Sequence, residues 1–199
     1  MELAIASSSV VRSIRQRDLL RTWTQLFVRE NRPPRAEDFR PDRFDDELPD
    51  IFVCAVQYRG DTPRLVIAAD SKRMHPAFGP SGIGQTLDEY IGPSIGPLLV
   101  PLYVECIRLQ RPIYTVWKLA DVDGRAVNYE RLLMPFSDGQ RITSIFASLK
   151  GISEDGHFNV TGMMRQKQAL PTIVLQTVID CSAIAPATKK PAADEIEFN

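Results

Sequence analysis

Histidine is scarce in this chain and cysteine is scattered, and both shortages narrow the chemistry. Neither His75 nor His157 has a second histidine or a CxxC-like pair nearby, so a metal site is not expected. Cys54, Cys106 and Cys181 are odd in number and widely separated; that spacing fits neither a disulfide framework nor close zinc-ligand pairs, and buried reduced thiols are the expectation. Charge of one sign is lacking too. The 24 basic and 25 acidic residues leave a formal net charge of -1, so no overall field draws the protein onto nucleic acid. No stretch reaches the roughly 18 consecutive apolar residues needed to span a bilayer, and Met1 to Val11 has no basic region ahead of its short apolar run. The expected location is the cytosol. The GxxxxGK, GxGxxG and HExxH signatures are all absent. The Gly79 to Gly84 string lacks the lysine and spacing of a phosphate cradle and suits turns better.

What is there is ordinary globular material: 199 residues, 44% hydrophobic and 25% charged, enough for one compact domain with modest extensions. From Val10 to Arg29, Val10, Ile14, Leu20, Trp23 and Phe27 recur at mostly helical steps, with arginines at 12, 15, 17 and 21 between them. This predicts an amphipathic helix, ended by Asn31, Arg32 and the two prolines that follow. Residues 1–31 form this first unit, residues 32–150 the main domain, residues 151–182 a C-terminal extension. The small, Pro-containing, charged composition of 183–199 predicts a disordered tail.

Within the main domain, Ile51 to Tyr58 and Arg64 to Ala69 flank the turn at Gly60 to Pro63 and predict an antiparallel hairpin. Asp70 to Pro97 holds too many glycines and prolines for long elements, although Thr86 and Glu89 have capping-box spacing for a short helix. Leu98 to Gln110 predicts one longer helix, with Pro101 in its first turn. Ile113 to Ala120, Ala126 to Pro135 and Arg141 to Lys150 then predict a three-stranded meander, because Asp123-Gly124 and Asp138-Gly139 supply the positive φ of tight turns. Ile173 to Ile179 reads as a further strand or an exposed arm.

The element order, with Leu48, Pro49, Asp50, Ile51, Phe52 before the first strand, Gly84 to Leu87 before a short helix, and Tyr129, Glu130, Arg131, Leu132, Leu133, Met134, Pro135 in the penultimate strand, resembles PAS domains. Together with Arg32, Pro33, Pro34, Arg35, these words look like a compact, stand-alone branch common in alphaproteobacteria; the match spans roughly residues 20 to 150. The resemblance implies an α+β fold: a five-stranded antiparallel sheet with helices on one face, whose concave side forms a pocket. It implies sensing or protein contact rather than turnover. No cofactor is expected. The long helix carries no histidine for haem, and the cysteines lack the Asn-Cys-Arg-Phe-Leu-Gln surroundings of flavin photosensors.

Strand alternation nominates Trp117, Tyr129, Leu133 and Phe146 as lining for a small apolar or amphipathic ligand, with core filling as the plainer account of the aromatics. Glu130 and Arg131 are adjacent and must face opposite ways. Whichever faces inward needs a partner or a ligand, whereas an outward Glu130 would pair across strands with Lys118. Ile14, Leu20, Trp23 and Phe27 form a stripe that either caps its own sheet or pairs with a second copy as a homodimer. With no output motif in the chain, a signal leaves through a protein partner or through oligomerisation. Two functional readings follow: a ligand-binding sensory module, or a solid-cored interaction adaptor docking a signalling enzyme. A small hydrolase or lyase would need a base with an oriented partner, which two scattered histidines do not supply.

Overall fold

A computed structural model describes residues 3–73, 75–153, 156–165 and 170–182; the tail expectation for 183–199 falls outside them. The elements run β1 (Ala4–Ala6), α1 (Ile14–Glu30), α2 (Phe44–Glu47), β2 (Ile51–Arg59), β3 (Thr62–Ala69), α3 (His75–Phe78), α4 (Leu87–Ile91), α5 (Gly96–Leu109), β4 (Ile113–Ala120), β5 (Ala126–Ser137), β6 (Ile142–Ser153) and β7 (Thr172–Ile179). The fold is α+β. All strands belong to one mixed sheet of order β1-β7-β4-β5-β6-β2-β3.

The expected five strands are present and antiparallel to their neighbours, with β2 pairing β6 to join the hairpin to the meander. The sheet nevertheless has seven strands, not five, and is not wholly antiparallel. β7 adds to the free edge of β4, and β1 pairs parallel to β7. Ile173 to Ile179 is therefore a strand within the sheet and not an arm.

Local chemistry sets the boundaries. Ser13 caps α1 by accepting from the Gln16 amide, and Asn31 ends the helix in the left-handed region at φ 53°. The capping box of Thr86 and Glu89 opens α4. α5 starts two residues ahead of the expected Leu98, so Pro97 takes the first turn and Pro101 falls in the interior. There it removes the bond its amide would have made to the Pro97 carbonyl. Gly60, Gly124 and Gly139 all have positive φ in the turns predicted for them. The β4–β5 turn is fastened by Asp121, whose carboxylate accepts from the Asp123, Arg125 and Asn159 amides at 2.9, 2.8 and 2.9 Å.

Helices cover both faces of the sheet, α3 to α5 together on one and the N-terminal helix on the other. α1 lies on one face, where Leu19, Leu20, Trp23 and Phe27 pack with Phe39, Tyr114, Val116, Leu132, Met134 and Phe136. On the other, α3, α4 and α5 bury Phe78, Leu87, Tyr90, Leu99, Leu102 and Tyr103 against Cys54, Ile67, Trp117, Tyr129 and Leu133. The central strands therefore read apolar at both parities.

Candidate functional site

Register decides what faces what. Ile113, Thr115, Trp117 and Leu119 of β4 stand opposite Leu133, Arg131, Tyr129 and Val127 of β5, and β6 brings Leu149 opposite Arg131. With a period of two, these residues share the face covered by α5. Trp117, Tyr129 and Leu133 are thus brought together, each no more than 1% exposed. Phe146 is not with them. It lies opposite Met134 on β5 and packs in the aromatic cluster on the α1 side, its ring centroid 4.5 Å from that of Phe136, because one residue's step along β6 turns the side chain through the sheet.

Arg131 is the residue that strand alternation alone left open. It is 1% exposed. Its Nη1 donates to Thr115 Oγ1 at 3.3 Å, and its guanidinium lies 4.6 Å from the Trp117 ring centroid and 5.0 Å from that of Tyr129. Its Nη2, Trp117 Nε1 and the Tyr129 hydroxyl form no hydrogen bond of full geometry, though Arg131 lies near enough to the Tyr129 hydroxyl to act on it as a donor. No carboxylate of the described residues forms an ion pair with it. Cation-π contact offsets part of the cost of burying such a charge, but a guanidinium out of water ordinarily has an anionic or carbonyl partner.

Beside these groups is a cavity of about 20 Å³, bordered by Phe78, Leu87, Tyr90, Leu99, Tyr129 and Arg131. As it stands it is large enough for about one water-sized occupant. Burial pushes the Tyr103 and Tyr129 hydroxyls above the ordinary tyrosine range, with the nearby Arg131 charge, and for Tyr129 also hydrogen bonding from Arg131, pulling the other way. Both therefore remain protonated donors at neutral pH. Among the described residues the site holds no nucleophile activated by a base. Burial likewise pushes the Cys54 and Cys106 thiols up, away from the reactive thiolate.

Glu130 does not pair with Lys118. Lys118 is exposed opposite Asn128, while Glu130 is 1% exposed on the α1 side, opposite Val116 and Lys150. Because both faces are covered, neither of the adjacent charges reaches solvent. Lys150 binds Glu47 at 2.9 Å and also Asp50, while Arg15 and Arg73 complete the network at 2.9 Å to Glu47 and 2.6 Å to Asp50.

The dimer stripe is also placed. Leu20, Trp23 and Phe27 are interior, with Trp23 Nε1 donating to the Pro135 carbonyl at 2.8 Å. Ile14 alone of the four is exposed, at 69%.

The nearest approach to a catalytic grouping is Asp70, whose carboxylate accepts from the Ser81 hydroxyl and lies 3.8 Å from His75 Nδ1. The hydroxyl is bonded to the acid and not to the imidazole, so no serine–histidine pair is formed. Among the described residues no group of three or more His, Cys, Asp or Glu side chains could hold a metal ion, and no helix is long and apolar enough to cross a membrane. Compared with protein-family models the chain matches none, and compared with curated proteins it likewise matches none.

Proposed function

We propose that the chain is a PAS-type sensory or regulatory module that holds a small ligand between the meander and α4–α5, and passes its state to a protein partner or to a second copy. The observation that carries this reading is the cavity beside Arg131, where groups able to hydrogen-bond are buried without partners on a face otherwise closed by apolar side chains. The five-strand unit β3-β2-β6-β5-β4 within the larger sheet, and the absence of a base–nucleophile pair at the site, support binding over turnover.

A second reading has its own observation. At about 20 Å³ the cavity is small, which suits a solid-cored adaptor that acts through its surface. Native mass spectrometry of gently purified protein, set against the denatured mass, separates the two. A retained small-molecule adduct is expected for the sensor, and a chain of bare mass supports the adaptor. The same spectrum reports the homodimer. With the α1 stripe taken by its own sheet, a pairing through α1 would use its outward residues, Ile14 and Val28, which are 69% and 60% exposed.

A further inference from the structure

Three polar atoms on the α5 face lack a hydrogen bond of full geometry, those of Arg131 and Tyr129 at the cavity wall, and their chemistry is one-sided. Arg131 Nη2 and Trp117 Nε1 can only donate, and the Tyr129 hydroxyl, held protonated by burial, is a third donor. Unpartnered groups on the α1 side have the opposite bias: Gln16 Oε1 and Glu130 Oε2 accept, and Ser148 Oγ can do either. A surplus of buried donors around an uncompensated positive charge calls for an acceptor that is itself negative.

We infer that the cavity beside Arg131 is the head-group site for a small monocarboxylate, held by Arg131 Nη2 and the Tyr129 hydroxyl, with its short apolar tail against Phe78, Leu87 and Leu99. This deepens the sensory reading and rests on it. Arg131 already spends one arm on Thr115 and is fixed over Trp117 and Tyr129. The remaining arm is therefore presented in a set direction, as recognition of a planar carboxylate requires. The rest of the wall is apolar, which disfavours a second charge on the ligand and favours a hydrocarbon tail. At about 20 Å³ the cavity takes about one water-sized occupant as it stands, so head group and tail both need the wall of α3 and α4 to give. Those helices are four and five residues long and are joined through Gly79, Gly82 and Gly84. Gly82 packs so closely on the Tyr90 ring that an added Cβ would sit 2.5 Å from it, so displacement of Tyr90 is transmitted directly to this loop.

The test uses the full chain with formate, acetate, butyrate and hexanoate beside acetamide, butyramide and hexanamide, read by thermal shift and by tryptophan fluorescence, since Trp117 lies against Arg131. Carboxylates are expected to raise the melting midpoint and change the emission while the amides do neither. Arg131→Met should bind about 10- to 100-fold more weakly, Arg131→Lys should recover part of the loss, and Tyr129→Phe should weaken binding while leaving the fold intact if the methionine variant does not fold. Amides binding as well as carboxylates, or undiminished carboxylate binding by Arg131→Met, would overturn the anion site and leave the sensory reading standing. If no probe of either kind changes the wild-type signals, the carboxylate site is refuted. The sensory reading then stands or falls on the native mass, with a bare chain removing it as well.

Discussion

The two faces of the sheet are built from the same strands and differ in how their polar groups are settled. On the α1 side the large side chains make partnered contacts: Trp23 stacks on Phe27 at 5.2 Å and bonds Pro135, and Phe39 meets Phe136 edge-on at 5.1 Å. The charges at its margin are gathered into a network of three cations and two carboxylates. On the α5 side a fully buried cation faces a small cavity with one arm unpaired. Each face leaves polar atoms unmet, Gln16 Oε1, Glu130 Oε2 and Ser148 Oγ on the α1 side and Arg131 Nη2, Trp117 Nε1 and the Tyr129 hydroxyl on the α5 side, so the contrast is one of sign: acceptors predominate on the first face, donors around a buried cation on the second.

The largest effect should come from the α1 face. Trp23→Ala removes a fully buried indole, its stack and its hydrogen bond, and should cost about 3–5 kcal/mol, seen as a lower urea midpoint with an unchanged slope. A loss under about 1 kcal/mol would mean that α1 is not the structural lid of this face.

Next is the network at the mouth of the same face. Lys150 joins Glu47 and Asp50, both nearly buried. Lys150→Met leaves those carboxylates with only Arg15 and Arg73, which are half exposed. Breaking a buried pair costs about 3–5 kcal/mol when nothing replaces it; with two arginines remaining, about 2 kcal/mol is expected from denaturant unfolding.

The α5 face depends on a fastening of another kind. Asp121 ties the β4–β5 turn to Asn159, and the segment that follows brings Met163 and Met164 into the core of that side. Accepted backbone amides, that of Asn159 first, hold the Asp121 carboxyl below the usual carboxylate range. A lowered folded pKa means stabilisation that is complete above the unfolded value, about 3.9, and is lost as pH falls through the folded one. Urea midpoints measured from pH 6 to pH 2 should fall in the acid range, and Asp121→Asn should flatten that fall. An equally steep fall in the variant would place the acid sensitivity elsewhere.

Much of this architecture was legible, for local reasons. The capping box, the Asp-Gly turns and the hydrophobic runs are signals carried by a few neighbouring residues, and they placed α4, the hairpin and the meander within a few positions. What was not legible depends on distant partners. β1 is three residues long and exists through its pairing with β7, and the strand at Ile173 gives no sign of which edge it will join. The α1 stripe looks the same whether it meets a second copy or Tyr114 and Leu132 of its own sheet. One clue to the two-sided burial was available: β4 and β5 are apolar at both parities, as in Tyr114-Val116 against Ile113-Trp117, which is the pattern of strands covered on both faces. Read that way, Glu130 and Arg131 would both have been placed inside. Phe146 would have been assigned to the face of Leu132 and Met134 once the Asp138-Gly139 turn fixed the register.

The smallest effect is the most discriminating. If Arg131 is a structural member of the α5 core, Arg131→Met should destabilise the unliganded protein, as removing a partnered buried group does. If instead its charge is held there at a cost for an anion to meet, the methionine chain fills similar space, the lost Thr115 bond and cation-π contacts are balanced by relief from desolvation, and unliganded stability should change by less than about 1 kcal/mol in either direction. The comparison is sharpest with Trp23→Ala measured beside it: both residues are large and fully buried, on opposite sides of one sheet. A near-zero change for Arg131 beside a large loss for Trp23 would show that the two faces answer to different constraints, stability on one and recognition on the other. A loss of several kcal/mol for both would make the α5 face as structural as the α1 face and return its unpartnered donors to the upkeep of the core.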